Sequence, residues 1–216
     1  MQGKPSSIVA TMASSAPLLV IASVVVVSLL AWSWKRFRDA TILRPHRVRE
    51  RFEIHRLLTA GWLHADAMHL LFNMVTLYFF AGEVVRSLGT AVFLAMYVGA
   101  VVVAFVPTTL RHMTDPAYAS LGASGAVAAV MFSAILLRPG VELYVAFVPV
   151  PVPAPLFAVG YLAYSAWSSY RARDGVNHDA HFAGALFGSA VTYALEPARV
   201  ERTVRQLAQT AAHWLR

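Results

Sequence analysis

Four polar side chains interrupt the long apolar stretches of this 216-residue sequence: His69, Asn73, Ser124 and His181. Strongly polar groups inside a membrane are costly unless they are partnered, so each one is a functional candidate. A serine becomes a nucleophile when a histidine beside it acts as general base. Amide and imidazole N–H groups can stabilise the oxyanion that such an attack generates. The four residues therefore predict a Ser–His dyad with an oxyanion site.

The sequence around Ser124 favours an accessible nucleophile. Ser124 lies in the string Gly122-Ala123-Ser124-Gly125-Ala126, which contains no bulky side chain. A glycine before the serine permits a tight turn, and small neighbours leave the hydroxyl open to approach. Ser124 also stands at the start of a predicted helix, where free backbone N–H groups point outward and can stabilise an anion.

The other candidates share helix faces. His69 and Asn73 are four residues apart and therefore lie on one face of a helix. His181 precedes Gly184 by about one turn and Gly188 by about two turns, so these three also share a face. Two glycines at this spacing let a neighbouring helix approach closely. A close contact of this kind would place the histidine beside the serine.

Each pattern alone has an ordinary explanation, and the rival chemistries lack their residues. A string of small residues marks any close helix contact, and buried histidines or asparagines can simply hydrogen-bond neighbouring helices. The sequence has no HExxH motif, no cysteine and no pair of aspartates inside a span, and its two lysines, Lys4 and Lys35, lie outside the candidate site. The string HDAH at 178–181 lacks a thiolate or buried carboxylate to complete a metal site. A metal-independent Ser–His dyad is left.

The composition predicts a membrane protein whose helices position these residues. Hydrophobic residues make up 58% of the chain, charged residues 13%, and the mean hydropathy is +0.58. Soluble domains carry about 25% charged residues. At about 20 apolar residues for each span, the length fits roughly six spans. We predict spans at 17–34, 67–82, 89–110, 121–137, 154–170 and 178–195, with an extended, proline-rich segment at 143–153.

These spans define a simple domain organisation. We predict a short N-terminal tail at 1–16, a six-helix domain at 17–196 and an amphipathic C-terminal tail at 197–216. The formal charge of +7 favours contact with anionic headgroups over contact with nucleic acid.

Three motifs resemble the rhomboid family of intramembrane serine proteases: HADAMHLLFNM at 64–74, GASGAV at 122–127 and AHFAGALFG at 180–188. The resemblance covers about Glu53 to Ala194. It implies an all-α polytopic membrane protein with a bundle of six transmembrane helices. It also implies an endopeptidase that cleaves transmembrane protein substrates in or near the lipid bilayer and needs no cofactor, metal or nucleic acid.

The resemblance assigns a role to each candidate. Ser124 matches the nucleophile and His181 the general base, while His69 and Asn73 match the oxyanion donors. The residues that match the nucleophile turn and the close helix contact are Gly122, Gly125, Gly184 and Gly188. His64 matches a structural histidine near the first loop.

The sequence departs from the family pattern at three positions outside the dyad. Ala128 stands where many members carry an aromatic ring that stacks on the catalytic histidine, which predicts a less tightly oriented His181. Val85 stands where a glutamate is usual, with Glu83 two positions earlier, and His55 stands in place of a tryptophan. The alternative function is a catalytically silent, rhomboid-like membrane binding protein, which a missing dyad residue would have indicated.

The distribution of basic residues conflicts with the orientation that the family implies. With the N-terminus in the cytoplasm and the site toward the outside, seven of the 18 lysines and arginines lie inside and eleven outside, eight of them at 35–56. The positive-inside rule favours the opposite orientation. Our prediction follows the resemblance and places the chain as a multi-pass protein in a bacterial plasma (inner) membrane.

Overall fold

The apolar stretches form helices, because a helix satisfies its own backbone hydrogen bonds where no water is present. A computed structural model describes residues 7–143, 150–171 and 175–214. In chain order its helices are α1 (Ser7–Ser33), α2 (Lys35–Thr41), α3 (Pro45–Arg51), α4 (Arg56–Thr59), α5 (Ala67–Leu88), α6 (Thr90–His112), α7 (Ser124–Leu137), α8 (Ala154–Arg171), α9 (His178–Leu195) and α10 (Pro197–Trp214). A 3-10 helix at Ala60–Trp62 follows α4.

The architecture is an all-α membrane bundle. Within the described part of the chain, three helices are long and apolar enough to cross a membrane: residues 15–33 of α1, and all of α5 and α6. Helix α7 is apolar and shorter, and α8 and α9 begin at the residues predicted for spans five and six. Helix α1 begins at Ser7, ten residues before the predicted span. The number of six spans stays a prediction.

Helix α7 lies at the centre of the bundle. Twelve of its fourteen residues are buried, and α5, α6 and α9 all pack against it. A helix that is apolar on every side can lie against lipid or against other helices, and this one is covered by other helices. Ser124 is therefore the first residue of the most enclosed helix in the described structure.

Glycines bring α7 and α9 into direct backbone contact. A Cβ atom added at Gly184 would lie 2.0 Å from the carbonyl oxygen of Gly125, and one at Gly188 would lie 2.1 Å from that of Ala129. A Cβ at Gly125 would lie 2.4 Å from the Cβ of Ala104 on α6. No side chain fits in these spaces, so the contact requires glycine at each position.

The connection between α1 and α5 is organised by a buried guanidinium group. Arg56 donates hydrogen bonds to two backbone carbonyls near the end of α2, at 2.9 and 2.7 Å, and pairs with the carboxylate of Glu53. The hydrogen bond from Arg56 lowers the pKa of Glu53. His55, which stands in place of the family's tryptophan, lies 3.3 Å from the carbonyl oxygen of Ala40.

A short hairpin lies between α7 and α8. The strands β1 (Glu142–Leu143) and β2 (Val152–Pro153) pair in antiparallel fashion. The prediction of an extended segment at 143–153 therefore agrees with both described ends, while 144–149 lie outside the described residues.

The C-terminal helix α10 is amphipathic and docks on the bundle. Val200 and Thr203 are buried, and the Thr203 hydroxyl donates to the carbonyl oxygen of Leu136 on α7 at 3.0 Å. Arg202 and Arg205 are exposed. Val200 and Thr203 thus face the bundle while Arg202, Arg205 and Val204 face outward, and the role predicted for the tail stays a prediction.

One carboxylate joins α10 to the ends of α5 and α7. Glu83 receives a hydrogen bond from Arg86 and lies 3.6 Å from a guanidinium nitrogen of Arg199 and 3.9 Å from one of Arg138. This position is two residues before Val85, where the family pattern has its glutamate. The acidic group at this end of α5 is therefore present, displaced along the helix.

Candidate active site

The four polar residues singled out in the sequence line one cavity. The cavity has a volume of about 1060 Å³, and its walls include His69 and Asn73 from α5, Ser124 from α7 and His181 from α9. Phe157 and Tyr161 from α8 line it as well. Helices α5, α7, α8 and α9 thus converge on one space, and three of them carry the four polar residues.

A tight turn precedes the candidate nucleophile. Gly122 has φ +127°, a conformation that side chains rarely adopt, and its N–H donates to the carbonyl oxygen of Ala60 at 3.0 Å. A Cβ at Gly122 would lie 2.9 Å from Cε1 of His69 and 3.7 Å from Oγ of Ser124. The glycine therefore lets the imidazole of His69 lie directly beside the turn that leads into Ser124.

The first turns of α7 and α9 touch on the same side as the cavity. A Cβ at Gly125 would lie 2.9 Å from the carbonyl oxygen of Ala180. Because Gly125 follows Ser124 and Ala180 precedes His181, this contact places the serine and the histidine at adjacent points of the wall. It is the arrangement that the spacing of Gly184 and Gly188 predicts.

The candidate oxyanion donors are held by the first turns of α5. The carboxylate of Asp66 caps this helix by accepting from the backbone N–H of His69 at 2.8 Å. The side-chain amide of Asn73, which is almost fully buried, donates to the carbonyl oxygen of His69 at 2.9 Å. An asparagine amide carries two N–H groups, so one is left for a ligand in the cavity.

His64 connects the first helix with the turn before Ser124. Its Nδ1 lies 3.0 Å from Oγ of Ser28, and its Nε2 accepts from the backbone N–H of Ala123 at 3.5 Å. Since the Ser28 hydroxyl donates to the carbonyl of Trp62 at 2.9 Å, it accepts from Nδ1–H of His64. Burial lowers the pKa of His64 to about 3, which keeps the ring neutral as this arrangement requires.

The start of α9 is fixed by an asparagine that sequence reasoning did not single out. Asn177 caps the helix by accepting from the N–H of Ala180 at 3.0 Å, and its Oδ1 also accepts from the Thr108 hydroxyl at 2.8 Å. Its amide donates to Oγ of Ser120 at 2.9 Å. Asn177 thus joins α6, the loop before the nucleophile and the helix of His181. An asparagine just before an apolar helix is a capping signal that could have indicated it.

The sequence also matches the model of a known protein family. The family model of the rhomboid domain matches residues 51–198, which is most of the chain. The protein belongs to the rhomboid family.

Curated relatives of this rhomboid come from several kinds of organism. RHOMBOID-like protein 12, mitochondrial, of Arabidopsis thaliana is 30% identical over 147 residues, which cover 61% of this chain and 44% of the relative. Presenilin-associated rhomboid-like protein, mitochondrial, of Homo sapiens is 31% identical over 151 residues, covering 65% and 38%. A protein of Bacillus subtilis (strain 168) named as a candidate rhomboid protease, YdcA, is 41% identical over 72 residues, covering 33% and 35%. The chain spans less than half the length of these relatives.

An aromatic ring faces the candidate base of this rhomboid from an unexpected helix. The ring of Tyr161 on α8 is stacked on the imidazole of His181, with centroids 6.1 Å apart and planes 22° from parallel. The ring of His178 meets His181 edge-on at 5.8 Å. The absence of an aromatic side chain at Ala128 predicted a loosely oriented histidine, but the structure supplies a ring from α8.

An ion pair at the mouth of the cavity was also missed. Arg111, at the end of α6, lies 2.7 Å from the carboxylate of Asp179 on α9. Its guanidinium also donates to the carbonyl oxygen of Ser169 on α8 at 2.7 Å and lies 5.0 Å from the centre of the Tyr170 ring. The Ser169 hydroxyl donates to Asp179 in turn. These contacts join the end of α8 to α6 and α9.

Proposed function

We propose that this rhomboid is an intramembrane serine endopeptidase that cleaves transmembrane protein substrates with Ser124 and His181. The observation that carries the proposal is the convergence of Ser124, His181, Asn73 and His69 on one cavity from three helices. A membrane binding protein would need neither this set of polar groups nor their convergence on one cavity.

The reaction follows the general logic of serine hydrolases. His181 accepts the proton of Ser124 Oγ as that oxygen attacks the scissile carbonyl carbon of the substrate. The negative charge that develops on the carbonyl oxygen is stabilised by the N–H groups of Asn73, of His69 and of the Ser124 backbone. His181 then donates the proton to the departing amine, which leaves an acyl group on Ser124.

Water completes the cycle. His181 accepts a proton from a water molecule, which attacks the acyl carbon and releases the second product while Ser124 regains its proton. The cavity lining includes Asp66, Ser120 and Asn177, so its mouth is polar enough to admit water. Phe72 and Phe157, also in the lining, belong to α5 and α8, which supports lateral access of a substrate helix between these two.

The membrane and its orientation belong to the same proposal. We infer a multi-pass protein of a bacterial plasma membrane with its N-terminus in the cytoplasm, from the resemblance described above. The relatives named for mitochondria and the Bacillus subtilis relative are compatible with a common domain in either membrane.

The deciding experiment is cleavage of a single-span substrate by purified protein in liposomes. Ser124→Ala is expected to lower the cleavage rate by several orders of magnitude, because no other nucleophile replaces the hydroxyl. Ser189→Ala is the matched control, since within the described part of the chain that hydroxyl hydrogen-bonds to its own helix, donating to the carbonyl oxygen of Ala185 at 2.8 Å. Cleavage by Ser124→Ala at the wild-type rate would show that the assignment is wrong.

A second measurement separates a silent binding protein from an enzyme. A fluorophosphonate probe is expected to label Ser124 in the folded wild-type protein, and His181→Ala is expected to lose the labelling while it stays folded. Folded wild-type protein that takes up no probe would favour the catalytically silent alternative.

A further inference from the structure

Helix α8 is only lightly anchored in the bundle. Its buried residues are small: Ala154, Pro155, Ser165 and Ser168. The hydroxyls of both serines find no hydrogen-bond partner among the described residues. Large side chains such as Leu156 and Trp167 face outward, whereas Phe157, Tyr161 and Leu162 are only partly buried, against apolar residues of α7. Little apolar area and few polar contacts hold the helix in place, so α8 can be displaced at lower cost than its neighbours.

Tyr161 is the residue through which α8 reaches the candidate dyad. Its ring lines the cavity and stacks on His181. It also packs against Phe132 on α7, with centroids 5.6 Å apart, and against Phe157 one turn earlier on α8, at 5.9 Å. Aromatic rings at such separations attract each other beyond the area that they bury.

The central helix leaves room for this ring. Ala128 lies in the wall of the cavity and is buried, and its methyl group is too small to contact an imidazole face as a ring would. The aromatic face beside His181 therefore comes from α8, an element that is not part of the α7–α9 contact. The orientation of the histidine depends on where α8 sits.

We propose that Tyr161 is a positioning residue for His181, and that the dyad is competent only while α8 is docked. This inference rests on the proposed function. The face of the Tyr161 ring fixes the plane of the imidazole and stabilises the positive charge that His181 gains when it takes the proton of Ser124. Displacement of α8, which widens the gap toward α5, removes this face. The substrate then enters while α8 is displaced, and proton transfer from Ser124 to His181 follows once α8 has docked again.

The test compares side chains at position 161 with a small probe that needs no lateral opening. The rate constant for fluorophosphonate labelling of Ser124 is measured in liposomes. Tyr161→Leu, which keeps apolar volume but loses the ring, is expected to label about three- to tenfold more slowly than wild type. Tyr161→Phe keeps the ring and is expected to stay within about twofold. Trp167→Leu removes an outward-facing ring from the same helix and serves as the control.

An aromatic ring introduced on α7 tests whether the labelling rate can be rescued. In the Tyr161→Leu background, Ala128→Phe is expected to restore at least half of the lost rate, since the histidine needs an aromatic face and not a particular helix. Thermal unfolding in detergent checks that each variant is folded. A folded double variant that labels no faster than Tyr161→Leu contradicts the proposal.

The outcomes separate the two levels of inference. Absence of labelling in the wild-type protein overturns the proposed function. Wild-type labelling at Ser124 together with equal labelling of Tyr161→Leu overturns only the role of Tyr161.

Discussion

The backbone N–H of Ala123, the residue before the candidate nucleophile, donates to Nε2 of His64 at 3.5 Å. The opposite nitrogen of the same ring contacts Ser28 on α1. One neutral imidazole thus connects the first helix with the turn that leads into α7. The bond from Ala123 requires the neutral ring, because a protonated imidazole has no acceptor nitrogen, whereas Nδ1–H donates to Ser28 in either form.

This arrangement predicts that the stability of the fold falls in mild acid. The pKa of His64 is about 3 in the folded state, against 6.5 for a free histidine, because burial disfavours the charged ring. Between these values the unfolded chain binds one more proton than the folded chain, so stability is fully present above pH 6.5. It then falls by about 1.4 kcal/mol for each pH unit as the pH decreases.

Thermal unfolding in detergent between pH 7.5 and 5 measures this effect. His64→Gln cannot titrate, and it is expected to flatten the dependence of Tm on pH while it lowers Tm at pH 7.5. His46→Gln, which removes a histidine from α3 outside this network, is the control. An unchanged pH dependence in His64→Gln would show that another group is responsible.

The buried amide of Asn73 predicts a loss of rate without a loss of fold. Asn73→Ala is expected to lower kcat for substrate cleavage by about 10²–10³, the usual cost of one oxyanion donor. The matched control is Tyr78→Phe, which removes a polar atom from the exposed face of the same helix. The measurement is kcat and KM in liposomes together with Tm. A change in KM alone would place Asn73 in substrate binding and not in oxyanion stabilisation.

The contact between α7 and α9 predicts opposite effects for two glycine-to-alanine substitutions. At Gly184 the new methyl would lie 2.0 Å from a backbone carbonyl oxygen, so the helices must separate, at an expected cost of about 1–3 kcal/mol or more and with loss of Ser124 labelling. At Gly82 on α5 no atom lies within 4 Å, and alanine is expected to stabilise the helix by up to about 1 kcal/mol. Unfolding in detergent measures both. Equal stability of Gly184→Ala and wild type would refute the close contact.

The helices could be predicted because long apolar runs in a membrane have one solution for their backbone hydrogen bonds. The helices predicted for spans five and six begin at Ala154 and His178 in the structure as well. The residues at the cavity could be predicted for a similar reason, because a polar group within an apolar run is costly and therefore stands out. Tyr161 could not, since a tyrosine in an apolar helix looks the same whether it faces lipid or a histidine. The ion pair of Arg111 and Asp179 joins residues 68 positions apart along the chain, and nothing local in the sequence connects them.

That ion pair predicts how firmly α8 is held. Arg111→Gln removes the charge beside Asp179 and the contact with Tyr170, and it weakens the hydrogen bonding to Ser169. The cost in global stability is expected to be modest, about 0.5–1 kcal/mol, because the arginine is about one-third exposed. The local effect is expected to be larger. Backbone amides in the last two turns of α8 should exchange hydrogen for deuterium faster, since the end of the helix loses its attachment to α6 and α9.

The two assays at Ser124 should then diverge. If substrate access limits cleavage, Arg111→Gln speeds cleavage of a single-span substrate, because displacement of α8 becomes easier. Labelling by the small probe should slow, because Tyr161 spends less time against His181. Arg205→Gln is the control, since it makes the same change in charge but breaks an exposed ion pair with Glu201 on α10. Unaltered hydrogen exchange in α8 would mean that Arg111 does not anchor this helix. Equal changes in cleavage and in probe labelling would mean that the anchoring of α8 does not affect the orientation of His181.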